Sequence, residues 1–142
     1  MKNKLLKKGI LVIVAVLLMM PNCVAFAGTT DLPEKAPDAK SSFYLNFVKI
    51  SSTKEKATVN YSESDSATSI TSTITLQSAP LNSNSYTAVS GVSPKSKIVY
   101  NTASIYHECD FNVSSSKEYR IKSEVTVNMN GIHKTSVRYC EL

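Results

Sequence analysis

Residues 41–142 of this 142-residue chain predict an all-β domain, a small antiparallel sandwich of six to seven strands. Three observations point there. Apolar and polar residues alternate with a period of two through most of the stretch, as in half-buried strands with one face on a core and one in water. Turn-forming residues interrupt the alternation about every 10 to 15 residues. Ser and Thr supply 33 of the 115 residues from Gly28 onward, which suits solvated strand faces and turns, and no helical period emerges.

Ahead of that domain, residues 1–27 read as a secretory signal peptide. Lys2, Lys4, Lys7 and Lys8 make a basic n-region, residues 10–20 an unbroken apolar run, and Ala25-Phe26-Ala27 a small-x-small cleavage site before Gly28. The apolar run is too short for a membrane span, which takes about 20 residues. Cys23 leaves with this segment; lipidation there would need a small residue before it, and Pro21-Asn22 fits badly. Residues 28–40 (GTTDLPEKAPDAK) hold two prolines and five charges, and predict a flexible leader. Leu32-Pro33-Glu34-Lys35-Ala36 resembles a wall-sorting pentapeptide, but such signals precede an apolar tail near a C-terminus, so that reading is rejected.

The charge divides at the same place. The chain carries +5, but four of its 16 Lys/Arg lie in the n-region. Without them 12 Lys/Arg face 11 Asp/Glu, a net +1 that steers the domain toward neither nucleic acid nor an anionic membrane.

Within the domain, Phe43, Leu45 and Phe47 alternate with Tyr44, Asn46 and Val48. Ala57, Val59 and Tyr61 form a second run. Ile70, Ser72, Ile74 and Leu76 form a third against Ser69, Thr71, Thr73 and Thr75. Ile105, His107, Cys109, Phe111 and Val113 follow, and then Tyr119, Ile121, Val125, Val127 and Met129. Turns are expected at 51–55, at 78–85 with Pro80, at 90–95 with Gly91 and Pro94, and at 114–117. Asn130-Gly131 is the strongest hairpin signal.

That hairpin has two registers. A two-residue loop pairs Ile121 with Cys140 and turns Cys140, Lys134 and Arg138 inward. A three-residue loop with Gly131 in a bulge turns Val137 and Tyr139 inward instead, since one slip exchanges the faces. The apolar pattern favours the bulge. A disulfide between Cys109 and Cys140 favours the tight turn, and that bond is the expectation for two cysteines in an exported chain. It would close a loop of about thirty residues and contribute on the order of 3 kcal/mol. The alternative is two separate thiols, and the spacing leaves it open.

The segments 68–77 (TSITSTITLQ) and 119–127 (YRIKSEVTV), with the signal peptide and the Asp31-Leu32-Pro33-Glu34 leader, are similar to a family of small exported proteins of Gram-positive bacteria. The resemblance implies an immunoglobulin-like β-sandwich and an extracellular place of action. That family carries no assigned activity, so the resemblance supplies no site.

Candidate chemistry is sparse. His107-Glu108-Cys109-Asp110 is the densest ligand cluster, but on a strand His107 and Cys109 share one face and Glu108 and Asp110 the other. Zinc needs two further ligands, and His133 is the only other His, so no metal site is expected. Ser-His-Asp combinations can be drawn, yet no Gly-flanked nucleophile motif exists. The carboxylate pairs Glu63/Asp65 and Glu108/Asp110 project side by side rather than across a cleft. Lys49, in phase with Phe43, Leu45 and Phe47, occupies a place where some Gram-positive sandwiches hold an isopeptide lysine; a strand-end lysine in water accounts for it as well. The Thr71/Thr73/Thr75 ladder is either a regular array of hydroxyls or the wet face of a strand. Tyr44, Tyr86, Tyr100 and Tyr106 are the candidate surface-binding residues, their rings suited to sugar stacking or protein contact.

These readings predict a secreted, non-enzymatic protein that acts through its surface or structurally, without a cofactor. Its partner would be an extracellular protein or a cell-wall glycan, with no nucleic acid and no membrane once the signal is cleaved. A small carbohydrate-binding module is the alternative, with a hydrolase further behind.

Overall fold

The structure, a computed structural model, describes residues 40–142; the expected signal peptide, and the expected leader up to residue 39, lie outside the described residues. Six strands follow: β1 (Ser42–Ser51), β2 (Lys54–Pro80), β3 (Thr87–Ala88), β4 (Lys95–Asn112), β5 (Lys117–Met129) and β6 (Ile132–Glu141). They form one antiparallel sheet, and no helix occurs among the described residues.

β2 organises the sheet. One of its edges pairs with β1 over residues 54–62 and then with β5 over 69–80, and β6 extends the sheet beyond β5. Its other edge pairs with β4 over 54–74 and with β3 at Gln77 and Ser78. The alternating runs at 57–61 and 70–76 are thus parts of one 27-residue strand. The intervening 62–68 (SESDSAT) is polar but contains no Gly, Pro or Asn to turn the chain, and the pairing with β4 slips between Ser62 and Ala67 instead.

One face of the sheet is buried on both sides of that slip. Before it lie Phe43, Leu45, Phe47, Ala57, Val59, Tyr61, Ile105 and Phe111; after it lie Ile70, Ile74, Leu76, Ile121, Val125 and Val127. A single-sided core of this kind requires the two halves to face one another. Three contacts show that they do. His107 Nδ1 lies 3.0 Å from Ser72 Oγ, Ser136 reaches the Tyr61 hydroxyl, and the Arg138 guanidinium sits 5.3 Å from the Phe43 ring centroid.

The hairpin takes the tight register. Asn130 and Gly131 both have positive φ (54° and 88°), as a two-residue type I′ loop demands, and Ile121 pairs with Cys140. The apolar pattern of β6 is overruled because its two inward cations sit at a sheet edge. Lys134 stays exposed, and Arg138 lays its charge over Phe43. On the outer face Tyr139 stacks on Arg120, so its half-burial is satisfied there. β4 is the long free edge, and exposed Lys95 and Lys97 on it discourage pairing with another chain.

Candidate functional site

The outer face of β1, β2 and β4 carries the candidate site. Each strand sends alternate residues outward, so register alone decides which become neighbours. Tyr44 pairs with Asn60, and Asn60 pairs with Tyr106, giving one cross-strand row Tyr44–Asn60–Tyr106. Both rings are open, at 56% and 53% exposure, and Asn60 between them is exposed. The row above is Ser42–Ser62–Ser104 and the row below Asn46–Thr58–Glu108.

A polar network anchors one end of this face. Tyr106 Oη donates to Glu108 Oε2 at 2.7 Å and accepts from the Thr58 hydroxyl. Lys56 Nζ donates to Glu108 Oε1 at 2.8 Å, and Lys54 pairs with Asp110 at 2.7 Å. The bond from Lys56, and then that from Tyr106, hold the Glu108 carboxyl below its usual range; Lys54 does the same for Asp110. The bond to Glu108 raises the Tyr106 phenol, which therefore keeps its proton and points its hydroxyl forward along the strand. In water such pairs contribute little stability, but they fix geometry.

The other two expected tyrosines lie elsewhere. Tyr86 packs on Arg120, whose Cζ is 4.3 Å from the Tyr86 centroid and 4.7 Å from that of Tyr139, while Arg120 Nε donates to Gln77 Oε1 at 2.8 Å. Arg120 is only 5% exposed, so this stack is structural, and Tyr86 is engaged in it. Tyr100, on β4 opposite Ser69, is exposed on the outer surface beyond the slip beside Ile98, with no place in that row. The four candidates therefore divide into one juxtaposed pair and two dispersed rings. Neither Asn60 nor Arg120 stands out in the linear sequence, because cross-strand register is what gives each its neighbours.

The Thr71/Thr73/Thr75 ladder is half-buried along its length, and the Thr73 hydroxyl bonds that of Ser96 at 3.0 Å. Lys49 is exposed at the end of β1, opposite Glu55. Ser72 and His107 form a nucleophile–base pair in outline, but they are 0% and 5% exposed. Burial, and then the Lys97 charge, lower the His107 pKa, so the imidazole is neutral and packed into the core. Among the described residues no group of three or more His, Cys, Asp or Glu is placed to hold a metal ion.

The expected bond between Cys109 and Cys140 is not made. Cys109 pairs with Ala57 on the free edge strand β4, near the Lys95 charge. Cys140 pairs with Ile121 on β6, which belongs to the opposite edge of the sheet, beyond β2 and β5. Both thiols point inward, but a shared face does not bring two cysteines within the Cα separation of under about 7 Å that a disulfide requires. Burial pushes the Cys109 thiol up to about 11, and Cys140 Sγ–H donates to the Glu141 carbonyl at 3.5 Å. No protein-family model, no curated protein and no solved structure matches the chain.

Proposed function

We propose that the protein is an exported, non-enzymatic binding protein that works outside the cell through the outer face of β1, β2 and β4. The observation that carries this reading is the row Tyr44–Asn60–Tyr106, two open rings flanking an open amide. Tyrosine combines a large apolar body with a polar tip and loses little conformational entropy on contact, so paired exposed rings favour binding. The non-enzymatic part rests on where the reactive groups lie. The Ser72–His107 pair is sealed in the core, and Glu108 and Asp110 are held ionised by lysines. The export part rests on the signal-peptide pattern of residues 1–27.

The same proposal extends to architecture. The folded sheet serves as a small immunoglobulin-like sandwich in which β2 and β4 pass from one layer to the other, supported by the single buried face and the contacts across it. The test of function is capture of the protein by isolated cell-wall fragments. Wild type and Tyr100→Ala should be retained, and Tyr44→Ala/Tyr106→Ala should not. Equal retention of the double variant would remove the proposed face from consideration.

A further inference from the structure

We infer that the face bearing Tyr44, Asn60 and Tyr106 binds an extended, uncharged, β-linked glycan chain running across the strands. This deepens the surface-binding reading and rests on it. Two interstrand steps of ~4.8 Å place the tyrosine positions about 10 Å apart, a span comparable to two sugar residues of an extended chain. Each ring can then take the C–H face of one sugar in every second position. Asn60, midway, offers two N–H donors and a carbonyl acceptor to the intervening hydroxyls.

The surroundings favour a polyol over the other macromolecules. A protein hot spot has a contiguous apolar centre that excludes water. Here the centre of the row is an exposed amide, and the flanking rows are Ser42–Ser62–Ser104 and Asn46–Thr58–Glu108. Lys54 and Lys56 are each bonded to a carboxylate on the same face, which leaves those four charges balanced and without a cationic track for a polyanion. The sheet twist of roughly 20–25° per strand turns the two ring positions by about 45° relative to each other. A single soluble chain can follow that twist, whereas the flat face of a crystalline polymer cannot.

Titration calorimetry tests the inference with hexamers of β-1,4-linked N-acetylglucosamine, glucose and xylose, and an α-1,4-linked glucose hexamer for comparison. At least one β-linked hexamer should bind, and each of Tyr44→Ala and Tyr106→Ala should weaken it about tenfold. Tyr44→Phe keeps the ring and should retain affinity; a matching far-UV spectrum and melting curve confirm that the variants fold. Three results would overturn the inference: no binding to any β-linked hexamer at millimolar concentration, equal affinity for the α-linked hexamer, or binding indifferent to both alanine variants. If hexamers fail while wall fragments still depend on Tyr44 and Tyr106, the glycan falls and the surface reading stands. If neither depends on them, both fall.

Discussion

Glu55→Gln should stabilise this protein at neutral pH. Glu55 sits on the inner face between Lys49 of β1 and Phe111 of β4 and is 3% exposed. Its Oε2 has no hydrogen-bond partner among the described residues. Burial raises its pKa, and the Lys49 charge offsets part of that rise. An unpaired buried polar atom costs about 1–3 kcal/mol, and more when charged. Glutamine still buries a polar amide there and removes only the charge-dependent part of that cost, some of which Lys49 already returns, so we expect a net gain of about 1 kcal/mol at pH 7, or roughly 4–8 °C in Tm for a domain of this size. The sign with pH follows from the raised pKa. Below about 4.5, Glu55 is protonated in both folded and unfolded states, and the two proteins should be equally stable. As pH rises through the folded-state pKa the wild type must hold a buried charge, and the difference opens. Urea unfolding of both proteins between pH 4 and 8 measures it. Comparison with the variant cancels the contribution of every other titrating group. A glutamine variant less stable than wild type at pH 7, or a difference independent of pH, would refute the account.

Three further outcomes follow from the same contacts. Since burial depresses the His107 pKa, its stabilising contribution is complete above about 6.5 and is lost as pH falls through the folded-state value, so acidification from pH 7.5 to 5.5 should lower Tm in wild type and less in His107→Gln. Arg120→Met should destabilise by about 1–3 kcal/mol in urea unfolding, because the stack with Tyr86 and Tyr139 and the bond to Gln77 are lost together. Arg120→Lys should not restore it, since an ammonium cannot lie flat between two rings. Alkylation under denaturing, non-reducing conditions should label both Cys109 and Cys140, and reductant should leave Tm unchanged; a mass showing the bond, or a loss of about 2–5 kcal/mol on reduction, would contradict the strand placement.

Alternation was the strongest signal in this chain, and what it encodes is a face. It correctly separates Phe43, Leu45 and Phe47 from Tyr44 and Asn46, and Ile121, Val125 and Val127 from Arg120 and Thr126. It carries no information about which strand lies alongside. Hence Tyr44 and Tyr106 could be named as outward rings, but their meeting across Asn60 could not, and Cys109 and Cys140 could share an inward phase while standing on opposite edges. The β6 register shows local chemistry prevailing over pattern. Asn-Gly adopts two positive φ values more easily than almost any other pair, and the edge position let the inward Arg138 find Phe43. The continuity of β2 was hidden for the opposite reason: a run of serines and acids looks like a loop in composition, yet without a turn former it stays extended.

The slip between Ser62 and Ala67 is what makes the candidate face compatible with a folded core. β1 and β5 occupy the same edge of β2, one after the other. In a straight β2 they would lie end to end, the inner face would be open along its whole length, and Phe43 and Val125 would share no interior. Extra residues in β2 at the slip increase local bend and twist, as bulges do, and bring His107 onto Ser72 and Phe43 under Arg138. Closing the inner face turns the opposite face of β1, β2 and β4 outward on the convex side. There Tyr44 and Tyr106 have no neighbouring layer to cover them. The exposure of the two rings is therefore a consequence of how the core closes. Shortening 63–66, for instance by deleting two residues, should cost stability and ring geometry together, while leaving the alternation of both strands intact.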